Sequence, residues 1–138
     1  MNVIDRNGLV VIDAAECLRL LETHHFGRLG IVVDGQPLVF PVNYALADTE
    51  VVFRTGSGTA LHGANGRRVA FEIDGTDPLA HTGWSVVVVG TAFEEHDPIR
   101  LHALEQLPLA PWAPGEKSHW MHIRRSAVTG RRIDRLTD

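Results

Sequence analysis

One cysteine, Cys17, is all the chain contains, which excludes an internal disulfide and any cysteine-based zinc site. No apolar run approaches the roughly 20 residues that a membrane-spanning helix needs. The opening stretch "MNVIDRNGLVVID" has no basic segment followed by a long apolar run, so it does not read as a signal peptide, and a cytoplasmic location is expected. Positive charge is also scarce. The formal net charge is −4 on 138 residues, which argues against nonspecific nucleic-acid binding. Arg124, Arg125, Arg131, Arg132 and Arg135 do gather near the end, where they read as the solvated face of an amphipathic final strand. No linker, repeat or low-complexity tract divides residues 1–138, so a single domain is expected, with neither membrane nor nucleic acid as partner.

What is present is a change of period. "DAAECLRLLETHHFG" reads as a helix capped by Asp13, with Glu16 completing a capping box and Gly27 as its end. Ala14, Cys17, Leu18 and Leu21 fall on one face of it. From there the alternation is two. "RLGIVV" and "PLVFPVNY" flank the hairpin turn "DGQ", and "EVVFRT" follows as a third antiparallel strand. "GTALHGA" suits a short helix, and "RVAFEID" alternates Val69, Phe71 and Ile73 against polar or small residues. "WSVVVVGTAFEE" is apolar on both faces in its first half, so both of its sides are expected to be covered, one of them by a helix or a second subunit. "DPIRLHALEQL" reads as another short helix, "APWAPGEK" as a loop, and "SHWMHIRRSAVTGRRIDRL" as one or two closing strands. The expected fold is mainly β: an antiparallel barrel of six to seven strands, closed or partly closed, with a few short helices.

Motifs for chemistry by the chain's own side chains are few. His24 and His25 are neighbours on the expected helix and point about 100° apart. His119 and His122, three apart in a strand, lie on opposite faces. Neither pair chelates one ion, and the spacing nominates no metal ligand. There is no G-x-S-x-G nucleophile elbow and no G-x-x-x-x-G-K-[ST] loop. The catalytic residues are therefore unknown, and any reaction is expected to be carried by a cofactor. "RTGSGTALHGANGRR" has the parts of an anion cradle: Arg54 on a strand, then Ser57, Gly58 and Thr59 at a helix start. The same parts also make an ordinary capped turn.

The order and spacing of "FGRLGIVVDGQPLVFPVNYAL", "VVFRTGSGTAL", "RVAFEIDG", "TGWSVVVVGTAFEE" and "VTGRRI" carry a closer likeness. Over almost its whole length the chain resembles the pyridoxamine-phosphate-oxidase-like, flavin-binding split barrels, in their small actinobacterial-type branch. The resemblance implies a split barrel that forms a homodimer with two flavin sites at its interface, and FMN as cofactor. It implies that Val42, Asn43 and Tyr44 line the flavin ring and that Arg54 and Thr55 approach the ribityl-phosphate. Gly58, Thr59, Ala60 and Leu61 would form the phosphate turn, and Trp84 and Ser85 would come toward the ring. Tyr44 and Trp112 would wall a substrate pocket. Ala60 stands where the family usually has its phosphate-gripping lysine, with Arg54, Arg67 or Arg68 as candidate replacements. The function so implied is a flavin-dependent oxidoreductase of an unknown small molecule. Two alternatives stay open: a deazaflavin-dependent reductase using the arginine-rich C-terminus, and a non-catalytic flavin- or haem-binding protein.

Overall fold

A single antiparallel sheet of eight strands organises the computed structural model, which describes residues 3–110 and 115–134. Chain order is β1 (Val10–Ile12), α1 (Ala14–Thr23), β2 (Phe26–Val33), β3 (Gln36–Asn43), β4 (Ala45–Ala47), β5 (Glu50–Thr55), a 3₁₀ turn (His62–Ala64), β6 (Arg68–Asp77), β7 (Thr82–Glu94), α2 (Pro98–Glu105) and β8 (His119–Ile133). Around the sheet the strands run β3-β2-β6-β7-β8-β5-β4, with β1 added to β8. The sheet curls as a split barrel does, one strand richer than expected because β1 and β4, of three residues each, are too short to show a period.

The β2–β3 hairpin turns on Asp34 and Gly35, both at positive φ (50° and 76°), as the favoured two-residue turn demands. "EVVFRT" does not pair with β3. It pairs with β4 and with the far strand β8, Thr55 opposite His119, which brings the two ends of the chain's chemistry together. β7 and β8 are the longest strands, and a bulge at Ser126 shifts their register between Val89 and Gly90. A Cβ on Gly90 would collide with the Arg124 carbonyl oxygen, so only glycine lets the strands approach there.

Alternation sorts the side chains as the sequence indicates. Val69, Phe71, Ile73, Val86 and Val88 point inward with Leu29, Phe53, Met121 and Ile123, and α1 adds Cys17 and Leu21 to the same core. A smaller cluster of Val52, Leu104, Leu109 and Trp120 lies on the other side of β5 and β8, under α2. Val87 and Val89, on the outer face of β7, are only half-buried, because α1 belongs to the inner core and α2 covers Val52 and Trp120.

Both helix starts form as expected. Asp13 accepts from the Glu16 amide at 2.8 Å, and Asp97 accepts from the Ile99 amide at 3.0 Å. The capping box is only half made, since the Glu16 carboxylate turns to Arg19 instead. Gly27 does not end α1. The helix stops at His24, whose backbone is already extended, and Gly27 sits inside β2 against Phe71 and Ile73. No helix among the described residues is long and apolar enough to cross a membrane.

Candidate functional site

The glycine-rich stretch after β5 folds as a turn rather than as the start of a helix. Helical structure is limited to the three-residue 3₁₀ turn His62–Ala64, so Ser57, Gly58 and Thr59 precede it and do not offer a helix N-terminus. The Thr59 hydroxyl is spent locally, donating to the Gly56 carbonyl at 2.9 Å and accepting from the His62 amide at 3.1 Å. Ser57 through Ala60 are exposed, Leu61 is half-buried, and Gly58 takes φ +71° with open space where a Cβ would stand. Beneath the turn, Thr55 is 1% exposed and its hydroxyl has no hydrogen-bond partner among the described residues.

None of the three arginines nominated to replace the missing lysine reaches this turn. Arg54 and Thr55 are adjacent in β5 and face opposite ways. Arg54 donates to the Lys117 carbonyl at 2.9 Å, lies over the Trp120 ring at 5.3 Å, and lines a cavity with Leu101, Glu105 and Ser118. Arg67 donates to the Val32 carbonyl and Arg68 to the Ser126 hydroxyl. An acidic side chain does face the turn. Glu116 lies 3.5 Å from the Ser57 hydroxyl, and its hydrogen bond from Ser118 holds its carboxyl below the ordinary range.

Three residues absent from the sequence-based list meet beside Ser57. Glu94, at the end of β7, has His62 Nε2 at 2.7 Å from one carboxylate oxygen and His119 Nδ1 at 2.6 Å from the other. The ring of His119 continues through Nε2 to the Ser57 hydroxyl at 2.6 Å. The two imidazoles stack with centroids 4.2 Å apart and 23° between planes. The hydrogen bond from His62, followed by that from His119, holds the Glu94 carboxyl below its ordinary range against the opposing pull of burial. An ionised carboxylate only accepts, so both rings donate to Glu94, and a neutral His119 takes the Ser57 hydroxyl proton's hydrogen bond on Nε2. Spacing could not reveal this, because the three come from the 3₁₀ turn, β7 and β8. His122 does lie on the other face, between Glu50 at 3.6 Å and Glu95 at 3.5 Å.

The remaining nominated residues come from the end of β3 and the first half of β7. Val42 and Asn43 close β3 opposite Gly27 and Phe26. Tyr44 is 1% exposed: its ring packs on Phe71 and its hydroxyl donates to the Leu21 carbonyl at 2.7 Å, so its side chain belongs to the core and neither lines a ring nor walls a pocket. Trp84 meets His24 edge to face at 5.0 Å and, with Ser85, opens β7. Trp84 and Glu94 mark the two ends of that strand, roughly 33 Å apart at about 3.3 Å per residue. Within one chain, then, Trp84 and Ser85 stand away from the Glu94 end of their strand, whereas Val42 and Asn43 lead directly into β4, whose Ala45 pairs with Val52 three residues before Thr55, and β3 itself touches β5. Among the described residues the C-terminal arginines do not form an open basic groove either. Arg124 covers Phe93, Arg125 donates to the Thr49 carbonyl, and Arg131 and Arg132 pair with Asp5 and Asp134. Trp112 and Arg135 lie outside the described residues.

Comparison with known proteins agrees with this architecture. The uncharacterised protein Rv0080 of Mycobacterium tuberculosis is 35% identical over 131 residues, covering 91% of this chain and 86% of that protein. The structure of an FAD-binding protein from Mycobacterium smegmatis superposes with a TM-score of 0.79 at 34% identity, covering 90% of this chain and 98% of the other. An FAD-binding protein from Mesorhizobium loti gives a TM-score of 0.71 at 28% identity, over 91% and 99% of the two chains. Residues 13–135 match the pyridoxamine 5'-phosphate oxidase family, and the chain belongs to that family.

Proposed function

We propose that this chain binds a flavin nucleotide at the interface of a homodimer and serves as a flavin-dependent oxidoreductase for a small molecule. The observation that carries the reading is the 34% identity to an FAD-binding protein over nearly the full length of both chains. The division of the nominated residues supports a shared site. The β3 end lies beside β5 in one chain, while Trp84 and Ser85 lie at the other end of β7 from Glu94, so a second copy can bring its own Trp84 to the first copy's β3 and turn.

The outer face of the sheet suits that partner. Val39, Gly30, Ala70, Val89 and Ala127 follow one another in register across β3, β2, β6, β7 and β8, a rung of small apolar residues with Val39 67% exposed. An uncovered rung of this kind is what an interface between copies would bury.

Donor chemistry at the turn fits a phosphate, while its fixed charge is weak. The open backbone at Gly58 and the Ser57 hydroxyl, once turned from His119, can donate. Arg54, Arg67 and Arg68 are not aimed there, and Glu116 opposes a dianion. When bound, the flavin supplies hydride and electron acceptance. The chain's own part is to position the nucleotide, hold the turn, and exclude water through the dimer contact.

The test is the visible spectrum of the freshly purified protein, followed by titration with FMN, FAD and riboflavin. Flavin bands, or micromolar binding of FMN or FAD with shifted absorbance, support the reading. A protein that binds none of the three, or that carries deazaflavin or haem instead, overturns it. The oxidoreductase half needs a further result, which is that the bound flavin is reduced and reoxidised by a small-molecule pair.

A further inference from the structure

We infer that His62, Glu94 and His119 form a binding site for one divalent first-row transition-metal ion of the zinc class. The three side chains come from three separate elements, and their ligand atoms all lie within 4.8 Å of one another. Among the described residues this is the one group of three or more histidine, cysteine or acidic side chains so arranged. Two imidazole nitrogens and a carboxylate are a borderline-soft donor set, which suits zinc and its neighbours and not calcium or magnesium.

Each ligand is also held from behind. His119 is oriented by Ser57 on its far nitrogen. The Glu94 amide donates to Asn65 at 2.9 Å, and the His62 amide donates to the Thr59 hydroxyl. The Ser57 contact is of the kind that orients the ligands of known metal sites, and the two amide bonds fix the backbone that carries the other two. The carboxylate already draws both rings to itself, one on each oxygen. Metal–nitrogen and metal–oxygen bonds of about 2.0–2.2 Å place ligand atoms no more than about 4.4 Å apart, so a small swing of either ring closes the site. The three residues are half-buried, with 29%, 13% and 24% of their side chains exposed, so an ion can enter. Three protein ligands leave a coordination position for water or a substrate atom, which is the open form seen where a metal acts chemically. Binding replaces the two ring-to-carboxylate hydrogen bonds, each ring then carrying its proton on the nitrogen turned away from the ion.

Nothing in this inference depends on flavin, and it is tested without it. The chelator-treated protein is titrated with zinc by calorimetry and with cobalt(II) by visible absorption. One ion per chain is expected, with a cobalt spectrum typical of a four- or five-coordinate site. His62→Gln, Glu94→Gln and His119→Gln should each weaken zinc by at least about tenfold, the scale on which even supporting contacts act. His81→Gln, in an exposed loop, should leave binding unchanged. Zinc should also raise the melting temperature of the parent protein and not that of Glu94→Gln. If Glu94→Gln fails to fold, His62→Gln, in the short turn, decides the matter. No zinc binding at millimolar concentration overturns the site, as does equal affinity in parent and variants.

Discussion

The rings of His62 and His119 lie stacked 4.2 Å apart, although one belongs to a single 3₁₀ turn and the other opens the last strand. Glu94 causes this, because each of its two carboxylate oxygens holds one of the rings. A carboxylate between two imidazoles ties the turn after β5 to the β7–β8 pair. The loop that the family resemblance assigns to phosphate is thereby anchored by chemistry of a different kind.

Adding a cation to that loop should reveal whether it holds phosphate. Ala60 is exposed, and Arg54, Arg67 and Arg68 all hydrogen bond elsewhere, so an ammonium from Ala60→Lys has room. A charge-assisted hydrogen bond is worth about 1.5–3 kcal/mol, which tightens FMN roughly tenfold or more and leaves riboflavin almost unchanged. Salt should erode the gain. Calorimetric titration of both proteins with both ligands checks it, and an unchanged FMN affinity argues that the turn holds no phosphate.

Breaking the outer rung should separate the copies. Val89 stands in the middle of it and is half-buried in the single chain. Val89→Glu would place an unpaired carboxylate in a dry contact, costing about 3–5 kcal/mol, or at least a hundredfold in dimer dissociation. Sedimentation should show the parent as a dimer at micromolar concentration and the variant as a folded monomer. A dimeric variant of unaltered affinity places the interface elsewhere.

Tyr44 is the chain's one tyrosine, so its ionisation is read directly by ultraviolet absorbance. Burial pushes its phenol well above the ordinary value near 10. A raised folded value means that the stabilisation is complete below about pH 10 and is lost as pH climbs beyond it, because the unfolded chain ionises first. The native protein should therefore show no tyrosinate at pH 10.5–11, and tyrosinate should appear only as the protein unfolds. Tyr44→Phe strands the Leu21 carbonyl and should cost about 1–3 kcal/mol in denaturant unfolding. Normal titration in the folded state would contradict the buried placement.

Glycine at the bulge is a sharper test of the fold. Gly90→Ala drives a methyl group into the Arg124 backbone, where nothing flexible can yield. A loss of about 1–3 kcal/mol is expected, as for other overpacked sites. Gly63→Ala, with nothing within 4 Å of its added carbon, should change stability by well under 1 kcal/mol. Equal melting temperatures for the two variants would mean that β7 and β8 do not cross as described.

The alternation in "RVAFEID" and "WSVVVVGTAFEE" determined by itself which side chains enter the core, because a strand's two faces are fixed by parity. Asp13 and Asp97 determined both helix starts, and the "DG" pair determined the hairpin, since capping and turn geometry are local. The family likeness was legible for the same reason: it rests on strands and turns in order. Which strands became neighbours was not local. β5 could be paired with β8, and not with β3, only by the closing of the whole sheet. That closing is also what set Glu94 between His62 and His119, three residues whose spacing along the chain shows no pattern. It sent Arg54 away from the turn that its neighbour Thr55 supports, because adjacent residues of a strand cannot share a face. Tyr44 was assigned to a ligand by its motif and to the core by the Phe71 ring and the Leu21 carbonyl, partners supplied by β6 and α1 that only tertiary packing brings to it.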